Sequence, residues 1–408
     1  MATSRRGFIH LVGLNGLAVA AAGCATARPA RSPAASPQDA PPLGALGTRP
    51  SLIRLSSNEN SAGPGAKVLT AVQDSFGVAN RYAFRLPSDL TDAVAASLGV
   101  QPSQVTLGCG SSEILDASAA AFLGPGRALV TAMPTFELLP GRAEMWGAQV
   151  VDVPVDAELR LDLAQMAQRA GGAGLIYICN PNNPTGTVHG ALDVEAFVTA
   201  ALRAEPKATI LIDEAYHEYV ERADYKTAIP LALSNPRVVV SRTFSKIYGM
   251  AGLRVGYAVG QPATLGAMSR FLDGGRLSCL SARAALTALA DPARVAELRG
   301  QNHAARAMTV KALRDAGYRV VDSEANFLMA DVRRDIRVFQ RACRTRGVEI
   351  ARPFPPLLTW ARITIGTMAE MQQAVEAFRG ALTEPVPTAD ALPALERYVP
   401  RRDGTWAC

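Results

Sequence analysis

Ser241-Arg242-Thr243-Phe244-Ser245-Lys246 is the segment from which the architecture of this chain can be read. Val238, Val239 and Val240 lead into it, so Lys246 stands just past the carboxyl end of a buried strand. Open α/β sheets gather their ligands at that edge. Arg254 follows in Gly252-Leu253-Arg254-Val255-Gly256. Upstream lie Asn180-Pro181-Asn182-Asn183-Pro184-Thr185-Gly186 and Ile210-Leu211-Ile212-Asp213-Glu214-Ala215-Tyr216. An amine, a carboxylate, an amide, a phenol and a guanidinium therefore occur in a fixed order, each at the border of an apolar run.

Short apolar runs at 105–107, 128–131, 175–179, 209–213, 237–241 and 255–259 read as strands. Helical periodicity at 112–122 and 192–204 falls between them. The alternation predicts an α/β fold with a mostly parallel central sheet and helices on both faces. Strands at 318–321, 327–332 and 361–365, set among helices at 294–316, 335–346 and 368–382, predict a smaller α+β domain. The expected organisation is an export signal over 1–27 and a Pro-, Ala- and Ser-rich linker over 28–50. An arm over 51–79 joins the small domain. A large domain spans 80–288, the small one 289–383 and a Pro-rich tail 384–408.

The 408 residues, 49% hydrophobic and 19% charged, describe a globular chain with material for a large core. The net charge of +6 is modest, and the basic residues are scattered without interleaved aromatics, which argues against nucleic-acid binding. The six cysteines form no CxxC pair, so no metal site is expected. Cys109 and Cys179 lie in apolar runs and read as buried thiols. Near the start, Arg5-Arg6 precede an apolar stretch at about 11–23, shorter than the roughly 20 residues of a membrane-spanning helix. Ala25-Thr26-Ala27 offers a small-residue cleavage site. The pattern resembles a twin-arginine export signal and implies the periplasm or cell envelope. Ala21-Ala22-Gly23-Cys24 also resembles a lipoprotein box, which makes lipid anchoring at Cys24 the alternative to cleavage after Ala27.

The central constellation suits pyridoxal phosphate, a cofactor gripped by its aldehyde, ring nitrogen, ring hydroxyl, ring face and phosphate. Lys246 is the candidate for the aldehyde, given a pKa drawn below the usual value. Asp213 is placed to pair with a protonated ring nitrogen, or else to cap a following helix. Asn183 and Tyr216 are candidates for the ring oxygen, although Pro-Asn-Asn-Pro-Thr-Gly equally reads as a plain turn. Phe136 is placed to stack on the ring or to pack in the core. Leu107-Gly108-Cys109-Gly110-Ser111-Ser112-Glu113 joins a strand to a helix. The free N–H groups of that helix start, including Gly110, with the Ser111 and Ser112 hydroxyls, suit a phosphate dianion. Thr243, Ser245 and Arg254 complete the cup.

With these residues in view, the chain resembles the class I/II aminotransferases of pyridoxal-phosphate fold type I, in the histidinol-phosphate aminotransferase-like branch. The similarity covers residues 52–382. The opening Leu55-Ser56-Ser57-Asn58-Glu59-Asn60 and the Asn80-Arg81-Tyr82 segment match that branch, as do the Asn-Pro-Thr-Gly, Asp-Glu-Ala-Tyr and Ser-Lys segments in order. The resemblance implies that Lys246 tethers the cofactor and moves the proton. It further implies a homodimer with shared active sites, in which Tyr82 reaches the neighbouring subunit's cofactor phosphate. Arg362, in Trp360-Ala361-Arg362-Ile363-Thr364, matches the arginine that binds the substrate's acidic group, and Arg352 matches a second arginine of the branch. Asn326 and Asn58 border the same pocket. Surface ion pairing is the alternative for both arginines. The Pro-rich Pro353-Phe354-Pro355-Pro356 and the lack of a tyrosine-bearing arm before Asn58 depart from the branch pattern. The expected reaction is transamination between an amino donor and a 2-oxo acid. Decarboxylation of a phosphorylated amino acid on the same groups is a second reading, and a non-catalytic envelope binding protein retaining the fold is a third.

Overall fold

The central sheet forms where successive apolar strands return in parallel across covering helices. In the computed structural model, residues 52–82, 85–272 and 277–383 are described. The expected export signal, Cys24, linker and tail lie outside them. The elements run β1 (Ile53–Leu55), α1 (Ala66–Asp74), α2 (Leu86–Leu98), β2 (Val105–Gly108), α3 (Ser111–Phe122), β3 (Ala128–Met133), α4 (Leu138–Met145) and β4 (Val150–Pro154). They continue α5 (Leu163–Gln168), β5 (Ala173–Cys179), α6 (Ala191–Ala204), β6 (Thr209–Asp213), α7 (Ile229–Ser234), β7 (Val238–Thr243), β8 (Gly256–Gly260), α8 (Pro262–Ser269) and α9 (Cys279–Leu289). The last are α10 (Pro292–Asp315), β9 (Arg319–Val320), β10 (Phe327–Asp331), α11 (Ile336–Thr345), β11 (Val348–Ile350), β12 (Trp360–Thr364) and α12 (Met368–Thr383).

Seven strands form one sheet in the order β2-β8-β7-β6-β5-β3-β4. β4, β3, β5, β6 and β7 are parallel, and β8 runs antiparallel to both β7 and β2. Every residue of β5 and β6 is buried, as both faces of the sheet are covered. Alternate side chains divide between two apolar layers. Val130, Ile176, Ile210 and Val238 enter one, and Leu129, Leu175, Leu211 and Val239 the other.

A three-stranded antiparallel sheet, β12-β10-β9, and a parallel β1-β11 pair lie around a separate apolar cluster that includes Leu55, Leu328, Phe339 and Phe378. The segment expected as an arm divides its packing. β1 joins this cluster, while α1 packs on α9 and sends Val68 into the cluster of the large sheet.

Two expectations need correction. β4 was not foreseen, because it is an edge strand in which only Val153 is buried, and Asp152 and Pro154 interrupt its valines. Cys179 is buried as expected, but Cys109 is only half-buried, since it sits in the turn between β2 and α3. Among the described residues, no helix is long and apolar enough to cross a membrane.

Candidate active site

The carboxyl ends of β2, β6 and β7 meet at one edge. Gly108 pairs with Gly256, and Gly256 pairs with Thr243, so the loop entering α3 lies beside the loop that carries Lys246. Asp213 closes β6 in line with Cys179 and Ser241 of the flanking strands. Its carboxylate is 2% exposed. It accepts a hydrogen bond from the Tyr177 hydroxyl at 3.0 Å and from the Ser241 hydroxyl at 2.8 Å. It is thus held across the sheet and does not cap a helix. Burial raises its pKa to about 6, and the two hydrogen bonds oppose that rise.

Lys246 is half-buried, and its ammonium donates to the Asn58 carbonyl at 3.2 Å. Burial lowers its pKa to about 8. The charges of Arg362 and Arg254 push the same way, while those of Glu59 and Asp213 oppose. Its Nζ stands 5.7 Å from the centroid of the Tyr216 ring. The Tyr216 hydroxyl accepts from Asn58 Nδ2 at 3.1 Å, and burial pushes this phenol up.

Asn58 is buried in the left-handed region, at φ 54. Its N–H donates to Thr364 Oγ1 at 2.9 Å, and its Oδ1 accepts from the same hydroxyl at 3.1 Å. Asn326 Nδ2 donates to the Asn58 carbonyl at 3.1 Å. Both amides, expected to border the substrate, therefore fasten the loop over the lysine. Asn326 Oδ1 is buried without a partner.

A polar cup lies at the start of α3. Gly110 has φ 79, and no side chain caps the first turn of the helix that begins at Ser111. A Cβ at Gly110 would collide with the Arg254 guanidinium. Arg254 donates to Ser245 Oγ at 3.3 Å and to Ser112 Oγ at 3.5 Å. Thr243 Oγ1 donates to Ser245 Oγ at 2.9 Å. Uncapped N–H groups, hydroxyls and a guanidinium at one helix N-terminus form a donor set suited to phosphate.

Arg362 is 8% exposed. It donates to Asn183 Oδ1 at 2.7 Å and to the Ser56 carbonyl at 2.7 Å, while its buried Nε has no partner. Arg352 pairs with Glu137. The guanidiniums of Arg352 and Arg362 lie 4.3 Å and 4.6 Å from the centroid of the Phe354 ring. Phe136 is half-buried against the Leu129–Leu175 layer. Tyr82 is 85% exposed. Sequence reasoning assigned no role to Tyr177, Ser241, Glu137 or Phe354. A tyrosine within the apolar run of β5 and a serine directly after the three valines of β7 were the available signal for the first two.

Residues 50–378 match the family described as aminotransferase class I and II. The chain belongs to the class I and II aminotransferases. It is 34% identical over 335 residues to the histidinol-phosphate aminotransferase of Moorella thermoacetica, covering 80% of this chain and 85% of that protein. It is 36% identical over 322 residues to the aromatic amino acid aminotransferase of Rhodococcus jostii, covering 79% and 88%. The crystal structure of histidinol-phosphate aminotransferase from Sinorhizobium meliloti in complex with pyridoxal 5'-phosphate superposes with a TM-score of 0.75 at 28% identity, covering 86% of this chain and 99% of that one. The expected fold type and pyridoxal-phosphate-dependent transaminase activity therefore stand.

The lowered pKa of Lys246 has a kinetic consequence. The neutral amine is the reactive form of a lysine, and at Lys246 it predominates above about pH 8. Capture of pyridoxal phosphate by cofactor-free protein, followed by visible absorbance, is expected to accelerate as pH rises towards 8 and to level off above it.

Proposed function

We propose that this aminotransferase takes the amino group of an amino acid, or of a similar amine bearing a carboxylate or phosphate, and passes it to a 2-oxo acid. The observation that carries the assignment is the grouping of the Lys246 amine with the buried Asp213 carboxylate and the Arg362 and Arg254 guanidiniums, all near enough to shift its proton affinity, with Arg254 at an uncapped helix start. Pyridoxal phosphate fits this donor set. Ser111, Ser112, Thr243, Ser245 and Arg254 would hold its phosphate and Asp213 its ring nitrogen, with Asn183 and Tyr216 at the ring oxygen and Phe136 at the ring face. When bound, the cofactor supplies an electrophilic carbon for the amine and a conjugated ring that accepts an electron pair.

The chain's own groups do the rest. Arg362, with an unused Nε, anchors the acid and fixes which substrate bond faces Lys246. Lys246 Nζ takes the proton from the substrate's Cα and redelivers it two bonds away, on the far side of the amino nitrogen. Asp213, ionised above about pH 6, holds positive charge on the ring. Tyr177 and Ser241 keep that carboxylate aimed. Lys246→Ala is expected to abolish turnover in a coupled assay with 2-oxoglutarate. Asp213→Asn is expected to lower kcat by about 100-fold, the scale of losing one preorganised charge. Full activity in either variant sinks the reading.

The functional unit is a homodimer. Leu69, Phe76 and Val78 are 52%, 59% and 49% exposed along the segment that ends in Tyr82, an apolar surface suited to a second copy. Tyr82 then reaches the neighbouring cofactor phosphate. Light scattering is expected to give twice the chain mass. Tyr82→Phe is expected to weaken cofactor retention by about tenfold, the loss of one hydrogen bond to a charged group.

The protein acts in the periplasm or cell envelope. The paired Arg5-Arg6, the short apolar stretch and the small-residue Ala25-Thr26-Ala27 support export through the twin-arginine route, with Cys24 the point of lipid attachment if cleavage occurs there. Cell fractionation is expected to find the Arg5→Lys, Arg6→Lys variant in the cytoplasm. Equal export of variant and wild type would refute this placement.

A further inference from the structure

Glu137 follows Phe136 directly and occupies the N-cap of α4. A short polar residue at that position ordinarily accepts a hydrogen bond from the first turn of its own helix. Glu137 makes no such bond, and its carboxylate turns instead to Arg352. That arginine comes from the distant segment leading into Phe354, where it also donates to the Pro353 carbonyl at 2.7 Å. The Phe354 ring, 4% exposed, carries the guanidiniums of both Arg352 and Arg362. The side chains of Arg352 and Glu137 keep 23% and 30% of their surface, so an incoming substrate can reach the pair. The proton affinity of Arg362 reflects the same grouping. Burial lowers it first, Arg352 lowers it further, and Tyr216 and Glu137 raise it.

We infer that Glu137 sets the charge of the acid pocket, so that it admits amino acids presenting a single carboxylate and disfavours phosphate monoesters. The inference rests on the transaminase reading above and narrows its substrate class. Two guanidiniums and one carboxylate leave one uncompensated positive charge, which a monoanionic carboxylate matches. A phosphate monoester brings a charge of about −1.5 to −2 and three acceptor oxygens. To recruit Arg352 it must displace Glu137, and it then leaves a carboxylate unpaired beside a dianion. Specificity arises from such a repulsive element as well as from the attractive one.

The test uses cofactor-loaded full-length protein with 2-oxoglutarate as acceptor, and phenylalanine and histidinol phosphate as amines. Wild type is expected to show a kcat/KM for phenylalanine about tenfold or more above that for histidinol phosphate, and Glu137→Gln is expected to shrink this ratio about tenfold, mainly through KM for the phosphate substrate. Calorimetry with 3-phenylpropionate and phenyl phosphate reads the same preference without turnover. Wild type is expected to bind the carboxylate more tightly, and Glu137→Gln to gain affinity for phenyl phosphate alone. An unchanged ratio in an active Glu137→Gln enzyme overturns the inference. So does a wild type that prefers the phosphate in either measurement, a result that needs no variant. A wild type that holds its cofactor yet converts neither amine, nor any of the common amino acids, overturns the transaminase reading as well, and is thereby distinguished.

Discussion

The site depends on one charge kept dry. Asp213 lies at the end of a strand buried on both faces, where an isolated carboxylate is costly. Tyr177 from β5 and Ser241 from β7 each donate to it, so three adjacent strands share the upkeep of a single anion. The arrangement requires the register that sets Cys179, Asp213 and Ser241 in one row. A slip of one residue would turn each of these side chains to the opposite face. The geometry of the candidate site and the register of the sheet are thus one constraint.

A second buried charge braces the same edge from behind. Glu214, next to Asp213, accepts from Arg242 Nε at 3.0 Å, from Thr227 Oγ1 at 2.8 Å and from the Ala228 N–H at 2.6 Å. Arg242 is buried, and its proton affinity is raised by Glu214 against the opposing effect of burial. Neighbouring acids on one strand end therefore have separate duties. Asp213 belongs to the cleft, and Glu214 ties β7 to the segment leading into α7. Paired in this way, neither charge is left without partners in the interior.

Much of this was legible in the sequence because its signals are local. Apolar runs ending in Asp213 and leading to Lys246 located two strand ends, and the strands expected at 105–107, 175–179 and 209–213 fall on β2, β5 and β6. The glycine-rich turn before Ser111 gave the start of α3. The reversed direction of β8 was not legible, since an apolar run carries no sign of its polarity. Nor was the Glu137–Arg352 pair, whose partners are 215 residues apart and meet only through the fold. The duties of Asn58 and Asn326 were read from position in a motif. Position did not reveal that their amides fasten a loop, because that follows from the left-handed turn at Asn58 and the nearness of Thr364.

That fastening fixes how far the amino end of the chain can be trimmed. The roof over Lys246 is the stretch just after β1, and β1 is anchored by its parallel pairing with β11 and by Leu55 in the apolar cluster of the smaller sheets. A peptidase that stops short of Ile53 leaves the lysine covered. One that removes β1 takes away the strand pairing and the Leu55 anchor, so that the lid hangs on side-chain bonds, those of Asn58, Asn326 and Arg362 among them, and the dry setting that depresses the amine's basicity loosens with it.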